Sequence, residues 1–128
     1  MENFAKYWVD SDCSNFNDFV LNARTITNTA KDWAFVFSRN ELVGQCSFTV
    51  KIIKIGHYGV GLGVSDTQNR RSKGSYTNWI QKYVRYWSDG YCFISGSQTA
   101  KGNGFSQGEI VKVLIDLNSG NIQWKVGP

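Results

Sequence analysis

Polar and apolar residues alternate with a period of two along most of this chain, and no stretch holds a clean apolar stripe at helical spacing. Val111, Val113, Ile115 and Leu117 alternate with Ile110, Lys112, Leu114 and Asp116. Cys46, Phe48, Val50 and Ile52 alternate with Ser47, Thr49 and Lys51, and Ile122, Trp124 and Val126 with Asn121, Gln123 and Lys125. Trp33, Phe35 and Phe37 share one face of a further run. Successive side chains of a strand point to opposite sides of a sheet, so each run predicts a half-buried strand. The best helical candidate, Ser75 to Tyr86, lacks such a stripe. Aromatic residues at 15%, with 13 Gly and one Pro, agree with sheet rather than helix. A length of 128 residues fits one domain with a core of its own. No linker or repeat marks a boundary, so residues 1–128 are read as a single domain. Residues 1–18 are expected to be an irregular covering segment and 19–128 a sandwich.

Turn signals fall between these runs. Ser88-Asp89-Gly90-Tyr91 predicts a two-residue hairpin, since Asp and Gly tolerate the positive φ of a type I′ turn. Asp116 to Asn121 predicts a hairpin with a longer loop. One strand is unusual: from His57 to Val64, one face holds Tyr58, Val60, Leu62 and Val64, and the other only Gly59, Gly61 and Gly63. Bare glycine costs strand stability, so large side chains or a close backbone from a neighbour should fill the groove. A phosphate-cradling loop is the weaker reading, because no Lys-Ser/Thr pair and no helix follow.

Composition narrows the function. No apolar run is long enough to span a bilayer, and no membrane partner is expected. Met1-Glu2-Asn3-Phe4 lacks the basic start and apolar core of a secretory signal. Cys13, Cys46 and Cys92 are too scattered for a disulfide framework or a zinc knuckle, and an odd count suits a reducing, intracellular compartment, cytoplasmic or nuclear. His57 is the single histidine, and Cys46 and Cys92 sit in apolar strand patterns. Catalysis is therefore not expected, and neither is a cofactor or metal. Asp10, Asp12 and Asp18 lack a calcium-loop pattern and read as a solvated segment.

The order of the motifs resembles the SPRY family, a protein-interaction sandwich often preceded by a PRY segment. The residues that carry the likeness run from Thr27-Asn28-Thr29 and Trp33 through Gly44 to Ile52, the Tyr58 to Ser65 glycine strand and the aromatic hairpin Tyr86 to Gly90. The most specific match is Phe105 to Val111 followed by Leu114 to Trp124. Glu109 stands where the family usually has Asp. The resemblance implies an all-β fold, an antiparallel β-sandwich of the SPRY/concanavalin-like jelly-roll type, lacking the last one or two strands of the family. It also implies a non-enzymatic module, an adaptor that binds a peptide or protein surface through its loops. Gly59, Gly61, Gly63, Asp89, Gly90, Gly108, Asp116, Gly120 and Trp124 read as architectural.

The charge distribution selects the loop. The formal charge is +4, and Thr67 to Ser88 holds Arg70, Arg71, Lys73, Lys82 and Arg85 without an acid, so this segment carries +5 and the remaining residues −1. Arg and large aromatics are enriched in binding hot spots. Arg70, Arg71, Lys73, Tyr76 and Trp79 are the expected partner-binding residues, with Lys101 and Asn103 on a neighbouring loop; Tyr83, Tyr86 and Trp87 are expected to pack. The partner would be another protein or peptide carrying negative charge or hydrogen-bonding backbone. A second reading is a small structural subunit docked in a larger assembly through an open sheet edge. Lectin-like sugar binding and single-stranded nucleic-acid binding are weaker: no calcium site accompanies the first, and five charges without an RNA-recognition strand pattern are thin for the second.

Overall fold

The computed structural model describes residues 8–30, 34–57, 59–66, 69, 71 and 82–127. Strands predominate among them, with a turn of 3-10 helix at Phe16–Asp18. The nine strands are β1 (Phe19–Asn22), β2 (Thr25–Asn28), β3 (Gln45–Lys51), β4 (Gly61–Ser65), β5 (Tyr83–Trp87), β6 (Tyr91–Ile94), β7 (Ser97–Lys101), β8 (Ile110–Asp116) and β9 (Asn121–Val126). All pairings are antiparallel, which is the all-β class expected from the alternation. The chain divides into two compact units, Met1–Glu41 with Asp66–Lys82 and Leu42–Ser65 with Tyr83–Pro128.

In the first unit, β1 and β2 form a two-stranded hairpin. Asp18 anchors its open end: its carbonyl accepts hydrogen bonds from the Thr29 backbone N–H at 2.7 Å and from the Thr29 hydroxyl at 2.9 Å. Residues 34–37, expected as a strand with Trp33, form none. Trp33 lies outside the described residues, and an isolated bridge pairs Val9 with Ser38. Asp10 donates its N–H to the Phe37 carbonyl at 2.7 Å, and Arg39 donates to Trp8 at 2.7 Å. Aromatic alternation here marks half-buried coil rather than a ladder. Asp10, expected to be solvated, is buried, and its carboxylate accepts the Asp12 N–H at 2.9 Å.

The second unit is a sandwich of two sheets, one ordered β3-β8-β9 and the other β4-β5-β6-β7. The alternation of β8 is realised as expected: Val111, Val113 and Ile115 are buried, and with Ile52 and Phe105 they form the core. Phe48, Ile122 and Trp124 from the same sheet pack on them, as do Leu62, Val64 and Tyr86 from the facing one. Trp124 adds a polar tie, donating its indole N–H to the Leu62 carbonyl at 3.0 Å. Trp124 is half-buried, and this bond satisfies its indole N–H while the ring packs on the core.

The glycine strand is filled as expected, with one change. Gly61 and Gly63 lie in β4, opposite Trp87 and Arg85 of β5. A Cβ at Gly61 would meet the Trp87 ring at 3.1 Å, and one at Gly63 would overlap the Val84 carbonyl oxygen. Gly59 lies outside the strand at φ +79°, packed against the Ser88 side chain. The β5–β6 connection also differs from the expected two-residue turn. Ser88, Asp89 and Gly90 form a three-residue loop in which Gly90 donates to the Trp87 carbonyl at 2.8 Å and takes φ +96°. A type I turn followed by a left-handed glycine does the same job as a type I′ turn, with only one positive φ. The β8–β9 hairpin has the expected longer loop: Gly120 lies at φ +75°, and the Asp116 carboxylate accepts the N–H groups of Asn118 and Ser119 at 3.0 and 3.2 Å.

The two glycine roles predict different costs. Gly63→Ala should lower stability by about 3 kcal/mol, because β4 and β5 must separate to admit the methyl group. Gly120→Ala, with open space around its Cβ position, should cost about 1 kcal/mol of left-handed strain only. Urea unfolding followed by tryptophan fluorescence ranks the two.

Candidate functional site

Of the expected binding residues, Arg70, Lys73, Tyr76 and Trp79 lie outside the described residues. Arg71 belongs to the first unit, where it is exposed and its guanidinium donates to the Asp12 carbonyl. Lys101 and Asn103 belong to the second unit, where Lys101 is the last residue of β7 and Asn103 lies in the loop that follows. Arg85, counted among the basic residues of the expected segment, is 5% exposed. Its guanidinium carbon stands 4.6 Å from the Tyr83 ring centroid and 5.2 Å from that of Trp87. Tyr83, Arg85 and Trp87 alternate along β5, so they share one face, and this cation stabilises packed rings rather than reaching for a partner. Tyr86 faces the other way and packs on Trp124 with centroids 5.5 Å apart, so all three hairpin aromatics pack as expected.

The segment from Lys101 to Phe105 is fastened along its length. Gly102 donates to the Gly90 carbonyl at 2.7 Å and Phe105 to the Ser88 carbonyl at 3.0 Å. Between them, Gly104 donates to the Tyr86 hydroxyl at 2.7 Å. Glycine at 90 and 104 lets backbone lie on backbone, since a Cβ on either would overlap a carbonyl of the facing segment. The loop is thus a rigid platform. Asn103 is exposed on it, and Lys101 lays its ammonium 4.7 Å from the Tyr91 ring centroid.

Beside this platform is a cleft of about 400 Å³, lined by Ile55, Gly56, His57, Gly59, Trp87, Ser88, Asp89, Phe105, Ser106 and Gln107. Trp87 and Phe105 are 8% and 4% exposed and form an apolar floor, while His57 and Asp89 are exposed at the rim. The wall is braced by polar contacts. Gln107 accepts the Ile55 N–H at 3.0 Å, and Glu109 accepts the Ser106 N–H at 2.8 Å. Gly108, at φ +88°, donates to Ile52 at 2.6 Å and closes the same turn. In the sequence Gly108 and Glu109 read as architecture alone. Their strong turn signal was visible, but that the turn walls a cleft depends on which loops meet it in space.

Among the described residues two ionisable groups are shifted. Burial pushes the Cys13 thiol above its ordinary value of 9.0, and the nearby Asp10 carboxylate adds to the rise, so Cys13 is a poor nucleophile. The Gln45 side-chain amide, donating at 3.1 Å, holds the Asp116 carboxyl below its ordinary value of 3.8, helped by the Ser119 N–H. Among the described residues no group of three or more His, Cys, Asp or Glu could hold a metal ion. No helix among them is long and apolar enough to cross a membrane. Comparison with protein-family models, curated proteins and solved structures finds no match to this chain.

Two outcomes test these assignments. Tyr86→Phe strands the buried Gly104 N–H and should cost about 1–3 kcal/mol, with faster amide exchange at Gly102 and Gly104 as the local signature. For Asp116 the folded-state pKa is depressed, so its contribution to stability is present above pH 3.8 and is lost as the pH falls through the lower folded value. Asp116→Asn should therefore flatten the acid limb of a stability-against-pH curve below pH 3.8.

Proposed function

We propose that this chain is a non-enzymatic binding module that holds a peptide or a partner's surface through its loops. The observation that carries this reading is the fastened Lys101 to Phe105 loop beside an apolar-floored cleft. A site that takes up a peptide needs apolar floor for affinity and a few placed polar groups for orientation. Trp87 and Phe105 supply the first, and Asn103, Asp89 and His57 the second. Because the platform is held by backbone bonds, little ordering entropy is lost on binding. The SPRY resemblance, with its jelly-roll sandwich and loop-borne recognition, points the same way. The basic segment from Arg70 to Trp79 is the second loop we assign to the partner.

A structural subunit docked in a larger assembly is the other reading. It is favoured by β3 and β9, each of which pairs on one side only among the described residues. Such strands present unpaired backbone groups to an added strand.

Panning the chain against random twelve-residue peptides displayed on phage separates these readings. Enriched peptides should bind with at least tenfold lower affinity to Asn103→Arg, to Arg70→Glu/Arg71→Glu, or to both, as measured by fluorescence anisotropy. Peptides that bind both variants as well as the parent chain would sink the loop assignment. Failure to enrich any peptide would favour the subunit.

A further inference from the structure

The outward face of the β3-β8-β9 sheet gathers three lysines that are far apart in sequence. Lys112 of β8 stands directly opposite Lys125 of β9. On its other side Lys112 opposes Thr49, which places Lys51, two residues on, at the diagonal position. Directly opposed residues have Cβ atoms about 5 Å apart and diagonal ones about 7–8 Å, so like charges in this arrangement repel. All three lysines are exposed, and none has a carboxylate partner among the described residues. Ile110, 47% exposed, lies opposite Lys51 and two residues before Lys112, so the cluster borders an apolar side chain.

Lysines on edge strands are an ordinary defence against unwanted pairing. That accounts for Lys51 and Lys125, but not for Lys112. Lys112 sits on the central strand, where both edges are already paired and a charge protects nothing. There it only adds repulsion to its two neighbours. An anion laid across the face would relieve that repulsion at all three positions.

The size and chemistry of the face choose the anion. Three strands of about seven residues, at about 4.8 Å spacing and 3.4 Å rise, outline roughly 300 Å². A stable complex between folded proteins needs about 800 Å² on each side, so a globular partner is too large a match. Single-stranded nucleic acid calls for rings on which bases stack, and no outward-facing residue of β3, β8 or β9 is aromatic. An extended peptide repeats its side chains on one edge every ~6.8 Å, close to the diagonal lysine spacing. We propose that the Lys51, Lys112 and Lys125 face, with Ile110 beside it, docks a short extended segment of a partner protein that carries alternating acidic residues. This is a second surface, apart from the loop site, and does not depend on it.

The probe is a fluorescein-labelled ten-residue peptide of alternating glutamate and threonine, titrated by anisotropy at low and at physiological salt. The parent chain should bind it, and Lys112→Glu should weaken binding at least tenfold. Lys82→Glu, which changes net charge equally from an exposed position elsewhere, should weaken it less than twofold. Lys112→Glu relieves repulsion from two lysines, so its melting temperature should stay level or rise, and any loss of binding is then not loss of fold. Absence of binding to the parent chain, or equal losses in the two variants, overturns the proposal. Tighter binding of an oligothymidylate than of the peptide overturns it in favour of nucleic acid.

Discussion

Strand β5 is occupied on both of its faces, and the arrangement of the second unit follows from that. Its inward residues Val84 and Tyr86 oppose Val64 and Leu62 across the ladder. Its outward residues Tyr83, Arg85 and Trp87 are large, and all three are buried. A neighbouring strand with side chains on that outward face would collide with them. Gly61 and Gly63 remove the collision, so the bulk of Trp87 lies where β4 has no Cβ. The entropic cost of two strand glycines, roughly 0.5–1 kcal/mol each, is offset by burial of rings that bring about 2 kcal/mol or more apiece. Arg85 lies within cation–π range of two of those rings, whose faces are electron-rich.

The same strand also positions the loop site. Trp87 is at once the cover of Gly61 and part of the cleft floor. Tyr86, one residue earlier, reaches the Gly104 N–H with its hydroxyl while its ring packs on Phe105, with centroids 5.9 Å apart. Two consecutive aromatic residues on opposite faces therefore fix the hairpin, the platform loop and the cleft floor together. A change in β5 reaches the Lys101–Phe105 segment through the bond from the Gly104 N–H to the Tyr86 hydroxyl.

What the chain discloses before folding differs from region to region, for physical reasons. The strands β3, β8 and β9 are legible because one face of each is dry and the other wet, which writes a period of two into the sequence. The groove filled by Trp87 is legible for a similar reason, since bare glycine in a strand demands a neighbour. The segment around Phe35 and Phe37 misleads, because aromatic alternation there reflects partial burial without ladder partners. Asp10 misleads in the opposite sense: a carboxylate near two others reads as solvated, yet its side chain caps a local turn and is enclosed. Strand β7, exposed at every residue, carries no dry face and so no periodic signal. The candidate site is the least legible part. Cleft and lysine face both depend on sheet order, and nothing in the sequence places Lys51, Lys112 and Lys125 side by side until β8 is known to lie between β3 and β9.

Net charge acquires a different meaning once the cations are placed. A sequence count treats every Lys and Arg as equally available to a partner. In the fold, Arg85 is dry and stacked between rings, Arg71 is committed to a backbone carbonyl, and Lys101 rests on Tyr91. Each of these charges already has a local stabilising interaction. Among the described residues the β-sheet lysines do not, and they stand where neighbouring charges act on each other strongly. Groups that repel one another gain most from a new counter-charge. A chain whose formal charge is concentrated by sequence in one segment thus also carries three exposed lysines side by side on a sheet that the same count leaves slightly acidic.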